Sequence, residues 1–211
     1  MSHLKTLAES KVSPLRKSQG NVILVEAQHT NSSILKKTLL EFGYQISQCA
    51  SLDSDIIKQI AIFQPDMLIL ATDEPNQTLL QTLAEINQRL PLPIIIFAEK
   101  DTPSLIKGAI KAGVSAYIVS EIIPQHLDSI ISVANERFKS EQALRQELQK
   151  TKDQLESRKY VEKAKGIIME QKQLKEQQAY DLLRKMAMNQ GNSLTTIAKN
   201  IIDVHALLSS N

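Results

Sequence analysis

The chain has no tryptophan, one cysteine, six glycines and only 4% aromatic residues in 211. A lone Cys49 excludes an internal disulfide. With His3, His29, His126 and His205 scattered singly, it supplies no metal-ligand cluster, so neither a metal nor a cofactor is expected. Six glycines leave little room for a phosphate-cradling loop, and no Gly-x-Ser-x-Gly elbow or Cys/His pair is present. The acidic pairs Asp53/Asp55 and Asp73/Glu74 read as helix N-terminal charges or loop solvation, not as acid–base pairs. No enzyme activity is expected. No apolar run is long enough to span a bilayer, and the first twenty residues, with Lys5, Lys11, Arg16 and Lys17, hold no continuous apolar block of the kind a secretory signal needs. A soluble protein of the reducing cytoplasm is the expectation.

What is present divides the chain. Residues 1–20 read as a flexible N-terminal tail. From Asn21, apolar strand runs alternate with helical patterns: Asn21–Val25, Ile46–Cys49, Asp66–Leu70, Pro93–Phe97 and Ala116–Val119 as strands. Ser32–Phe42, Asp53–Phe63, Gln77–Leu90 and Ser104–Ala112 read as helices, with another starting near Pro124. Five β/α units with continuous apolar strands predict an α/β domain over 21–127, a five-stranded parallel sheet covered on both faces. Residues 128–159 contain no Gly or Pro and carry Leu144, Leu148 and Leu155 among charged residues. This predicts a coiled-coil or dimerisation helix, hence a homodimer, in preference to a lone solvated linker helix laced with Glu–Lys pairs, although Glu141, Arg145, Thr151 and Lys152 interrupt the seam.

The runs Pro65–Leu70, Pro93–Ile96 and Ala112–Val119 resemble those of a response-regulator receiver domain, a flavodoxin-like fold. In that family a phosphoaspartate is served by carboxylates after the first strand, an Asp after the third, a hydroxyl after the fourth and a Lys after the fifth. The matching positions here are Glu26 and Ala27, Ala71, Ala98 and Ser120. Phosphorylation is therefore not expected, and the resemblance implies a pseudo-receiver that serves as a scaffold. Tyr117 is expected to pack as core or interface.

Residues 160–211 carry three short amphipathic patterns, broken at Gln173-Leu174 and at Asn189-Gln190-Gly191-Asn192. Val161, Ala164, Ile167 and Ile168 fall on one helical face. So do Ala179, Leu182, Leu183 and Met186, and then Leu194, Ile197, Ala198 and Ile201, so three helices share a small core. Lys165, Met169, Tyr180, Arg184, Ala187, Thr195 and Lys199 flank these stripes and are expected to line one groove. Residues 157–211 hold nine Lys and Arg against five Asp and Glu, whereas 21–127 hold seven against eleven, so the C-terminal part is the one suited to a phosphate backbone.

The sequence Ala164-Lys165-Gly166-Ile167-Ile168-Met169, with Gln178–Arg184, Ala187-Met188 and Leu194–Ala198, resembles the ANTAR domain, a three-helix RNA-binding module of transcription antiterminators. Lys175 departs from the family's helix-capping Ser or Thr, a loss of about 1 kcal/mol at that helix start. The resemblance implies an antiterminator that binds stem-loops in a leader mRNA and prevents a terminator from forming. Among such regulators the chain is most similar to the nitrate-assimilation or amidase type, held by a ligand-sensing inhibitory partner protein. Lys165, Gly166, Tyr180, Arg184, Thr195 and Lys199 are the implied RNA-binding residues. Two other readings of the three helices stay open: a DNA-binding response regulator, and a signalling module that binds protein without nucleic acid.

Overall fold

The computed structural model describes residues 19–27, 33–51, 55–100, 102–119 and 123–209, with the backbone alone at 48–50 and 209. The chain divides into two compact units, residues 1–141 and 142–211.

In the first unit, strands β1 (Gly20–Glu26), β2 (Tyr44–Ser51), β3 (Met67–Thr72), β4 (Ile94–Ala98) and β5 (Ala116–Val119) alternate with α1 (Ser33–Glu41), α2 (Ile56–Phe63), α3 (Gln77–Arg89) and α4 (Pro103–Lys111). The strands pair in parallel in the order β2-β1-β3-β4-β5, the flavodoxin-like doubly wound arrangement. The three central strands are buried throughout their apolar runs, because each face of the sheet is covered. Ile23, Leu68, Leu70, Ile94 and Ile96 pack with residues of α2, α3 and α4, whereas Leu24, Ile69 and Ile95 pack with α1 and with Leu127, Ile131 and Ala134. Alternation along each strand assigns successive residues to the two cores.

Local chemistry sets the ends. The Asp55 carboxylate accepts from the Lys58 N–H at 3.0 Å and the Asn76 side chain from the Leu79 N–H at 2.8 Å, capping α2 and α3. Asp53 lies outside the described residues, as do residues 1–18 of the expected tail. Gly20, placed in that tail by the sequence, is the first residue of β1. Strand β3 also exceeds its expected end at Leu70, because Ala71 pairs with Glu26 and Thr72 with Ala98.

Helix α5 (Pro124–Lys172) runs without interruption through the expected junction at 159/160; nothing between Asp128 and Lys165 is a helix breaker. It stops where Gln173 takes a left-handed φ of 51°. In the second unit α5 packs with α6 (Glu176–Gln190) and α7 (Leu194–Ser209) around Val161, Ala164, Ile168, Ala179, Leu183, Ala187, Ile197 and Ala198. Gly191, at φ 63°, ends α6. At the start of α6 the Lys175 side chain has no acceptor to offer, but Gln178 supplies the reciprocal half of a capping box, its Oε1 accepting from the Lys175 N–H at 3.0 Å.

Candidate nucleic-acid interface

At the C-terminal edge of the sheet, Ala71 and Ala98, two of the positions expected from sequence to match a receiver's phosphorylation chemistry, are buried. Glu26 ends β1, with Ala27 next and hydrogen-bonded through its N–H to the Ala71 carbonyl at 2.9 Å. Ser120 lies outside the described residues. The two loops at this edge are tied together. The Asp73 carbonyl accepts from the N–H groups of Glu99 and Lys100 at 3.1 and 3.2 Å, and the Lys100 ammonium pairs with Glu74 at 2.7 Å. Tyr117, half-buried against the core, donates its hydroxyl to the Lys100 carbonyl at 2.8 Å. The hydrogen bond and charge of Glu74 raise the Lys100 pKa above its ordinary value.

In the second unit the six candidate residues fall on all three helices, and their contacts sort them into distinct settings. Lys165 is only 8% exposed. Its stem is covered while its ammonium lies between two exposed carboxylates, Glu162 one turn back at 2.9 Å and Glu176 at the start of α6 at 2.7 Å. The hydrogen bond to Glu176, then that to Glu162, raises its pKa. Lys165 in return holds Glu176 below the usual carboxylate range. This lysine ties α5 to α6.

Thr195 and Lys199, one turn apart on α7, face α5. The Thr195 and Ser157 hydroxyls are 2.5 Å apart, and the Lys199 ammonium sits over the Tyr160 ring, 4.6 Å from its centroid. Such a cation–π contact contributes about 0.5–1 kcal/mol at exposed sites and keeps the cation near the surface. Tyr160 and Ser157 were not singled out from sequence. They lie just upstream of the ANTAR-like run, and only the approach of α7 to α5 joins them to residues 38 or 39 positions away. On α6, Tyr180 lies at the surface and Arg184 is exposed, with no ion pair among the described residues. Gly166 is exposed in mid-helix, and a Cβ built on it would meet nothing within 4 Å. Its smoothness therefore serves no packing inside the unit.

The chain thus consists of a receiver-like parallel sheet followed, through one long helix, by a basic three-helix module. The ANTAR domain family matches residues 149–202. The transcriptional regulatory protein PdtaR of Mycobacterium tuberculosis is 25% identical over 182 residues, 86% of this chain and 89% of that protein. A nitrate regulatory protein of Klebsiella oxytoca is 42% identical over 66 residues, 31% of this chain and 17% of that one. Among solved structures, a pilus assembly-related protein of Burkholderia pseudomallei superposes with a TM-score of 0.50 at 16% identity, covering 59% of this chain and 96% of that one, which shows the sheet's fold. The chain therefore carries an ANTAR-domain match over residues 149–202 and a receiver-like fold in its N-terminal unit, and over most of its length it is similar to a transcriptional regulatory protein.

Proposed function

We propose that the chain binds stem-loops in a leader mRNA through its three-helix module and so prevents a terminator from forming. The observation that carries this reading is the cationic and aromatic cluster of Tyr160 and Lys199 within the matched ANTAR segment, with exposed Arg184 and Tyr180 on α6. Unpaired loop bases stack on aromatic faces while cations neutralise phosphates. In this reading Lys199, Arg184, Tyr180 and Thr195 meet the RNA, Gly166 lets it approach the helix backbone, and Lys165 acts chiefly by fixing α6 against α5.

Exposed Leu144, Leu148 and Leu155 along α5 support a homodimer, which would present two modules to two hairpins with the gain of linked binding. Alanines at Ala71 and Ala98 support control without phosphorylation, by a ligand-sensing inhibitory partner protein in the cytoplasm. The 66-residue likeness to a nitrate regulatory protein favours nitrate or nitrite assimilation genes as the target. No catalysis enters this reading.

The test is binding of the purified full chain to a two-stem-loop leader RNA and to matched duplex DNA across a range of salt, with Arg184→Ala and Lys199→Ala alongside. Tight RNA binding weakened in both variants is expected. Equal or tighter binding to DNA, or binding to neither, would overturn the assignment.

A further inference from the structure

The second unit carries a groove that the RNA reading leaves unused. It is a cavity of about 340 Å³ lined chiefly by Ile168, Leu182, Met186, Ile201, Val204 and Leu208, with Lys172 and His205 among its polar members. Its lining is mostly aliphatic, with His205 its one aromatic ring and Lys172 its one lysine, so it offers a single stacking face and no cationic track of the kind that single-stranded RNA needs. It also lies on another side of α7 from Lys199, which faces Tyr160. Its chemistry fits an apolar side chain of a protein.

The C-terminal half of α7 supplies such a side chain. Val204, Leu207 and Leu208 are 55%, 74% and 71% exposed, three large apolar residues within two turns. Val204 and Leu208 line the groove, whereas Leu207, their neighbour on the helix, is not part of its lining. Asp203 lies one turn before Leu207 on the same outward face. The same short segment therefore holds part of the groove's lining, an exposed leucine and an acid, and the lining also holds a lysine. Neither Lys172 nor Asp203 makes an ion pair among the described residues. A knob and a hole on one element, flanked by opposite charges, is a self-complementary surface of the kind a two-fold axis brings together.

We infer that the α7 groove is a self-association site, in which Leu207 of one copy enters the groove of a second copy and Asp203 of each pairs with Lys172 of the other. It is distinct from pairing along the leucines of α5 and is read without RNA, so its failure and that of the RNA reading are separable.

The test uses the full chain in an L144E/L148E/L155E background, which silences the α5 leucines, and follows weight-average mass against concentration by sedimentation. Helix content by circular dichroism confirms that each variant is folded. The background chain is expected to dimerise, and Leu207→Glu to weaken that step roughly tenfold or more. Lys172→Glu and Asp203→Lys should each weaken it, and the double reversal K172E/D203K should restore it, because only a second copy of the same chain carries both changed charges. A mass curve for Leu207→Glu that superimposes on its parent, or a double reversal no better than either single change, would overturn the proposal.

Discussion

Replacing Gly166 by alanine should stabilise the second unit. Glycine in a helix interior costs about 0.8–1 kcal/mol relative to alanine, through the backbone freedom that it surrenders on folding. Two things commonly cancel that gain, a left-handed φ or a collision of the new methyl, and neither applies. Gly166 is absent from the positive-φ glycines, and its Cβ would have open space on every side. The full gain of about 1 kcal/mol is therefore expected, which for a unit of this size raises its melting temperature by about 4–8 °C. Calorimetry or circular dichroism of the full chain, following the lower or higher of the two units' transitions as assigned by a core variant, reads it. A fall in melting temperature would refute the reasoning, because it would require a contact at Gly166 that the open surface denies. RNA affinity is the companion measurement. If a nucleic-acid backbone lies close to this face, Gly166→Ala weakens binding while it strengthens the fold, and a glycine retained against its own cost to stability has its explanation.

Gly113 is the opposite case: its φ is 86° and an added Cβ would fall 1.8 Å from the Asn87 amide nitrogen. Gly113→Ala should therefore destabilise the first unit by about 2–5 kcal/mol, read as a lowered urea midpoint for that unit alone. Leu183 is fully buried in the three-helix core; Leu183→Ala should cost that unit about 2–5 kcal/mol and leave the melting of the first unit unchanged. Because Lys165 lowers the Glu176 pKa, the pair's contribution through Glu176 is complete above that residue's ordinary value of 4.5 and is lost as pH falls below it. Because Glu176 and Glu162 raise the Lys165 pKa, the contribution through Lys165 is complete below 10.5 and is lost only as pH rises beyond it. Glu176→Gln should thus flatten the acid loss of the second unit's stability, measured as urea midpoints at pH 7 and 3.5; an unchanged acid slope would refute the clamp.

The sheet was legible because its central strands are buried on both faces and read as unbroken apolar runs such as Ile94-Ile95-Ile96. The three helical stripes were legible because each helix buries one face. What escaped the sequence depends on which helices meet. Lys165 flanks an apolar stripe, and a lysine there can equally line a groove or reach a carboxylate. Glu162, one turn away, is visible from spacing, but Glu176 becomes its partner only when α6 folds back on α5. Tyr160 and Lys199 are 39 positions apart, and nothing in either local pattern announces the contact. The length of α5 was obscured for a different reason. The change from a weak leucine seam to a strong three-helix stripe near residue 160 is a change of partner, not a break in the helix, since burial pattern and backbone continuity are separate properties.

This sorting of cations has a measurable consequence. A cation already held between two carboxylates has little charge left for a phosphate, so Lys165 should contribute almost nothing to the salt dependence of RNA binding. Lys199 and Arg184, which have no carboxylate partner among the described residues, should each contribute. For single-stranded segments the logarithm of affinity falls with the logarithm of salt by about 0.7 for each phosphate neutralised. Lys199→Ala and Arg184→Ala should therefore each reduce the slope by about 0.7, whereas Lys165→Met should leave the slope unchanged while lowering the stability of the unit. A flattened slope for Lys165→Met, in protein shown to be folded at the assay temperature, would mean that RNA displaces Glu162 and Glu176 from the ammonium. Lys165 would then belong to the interface and not to the scaffold beneath it.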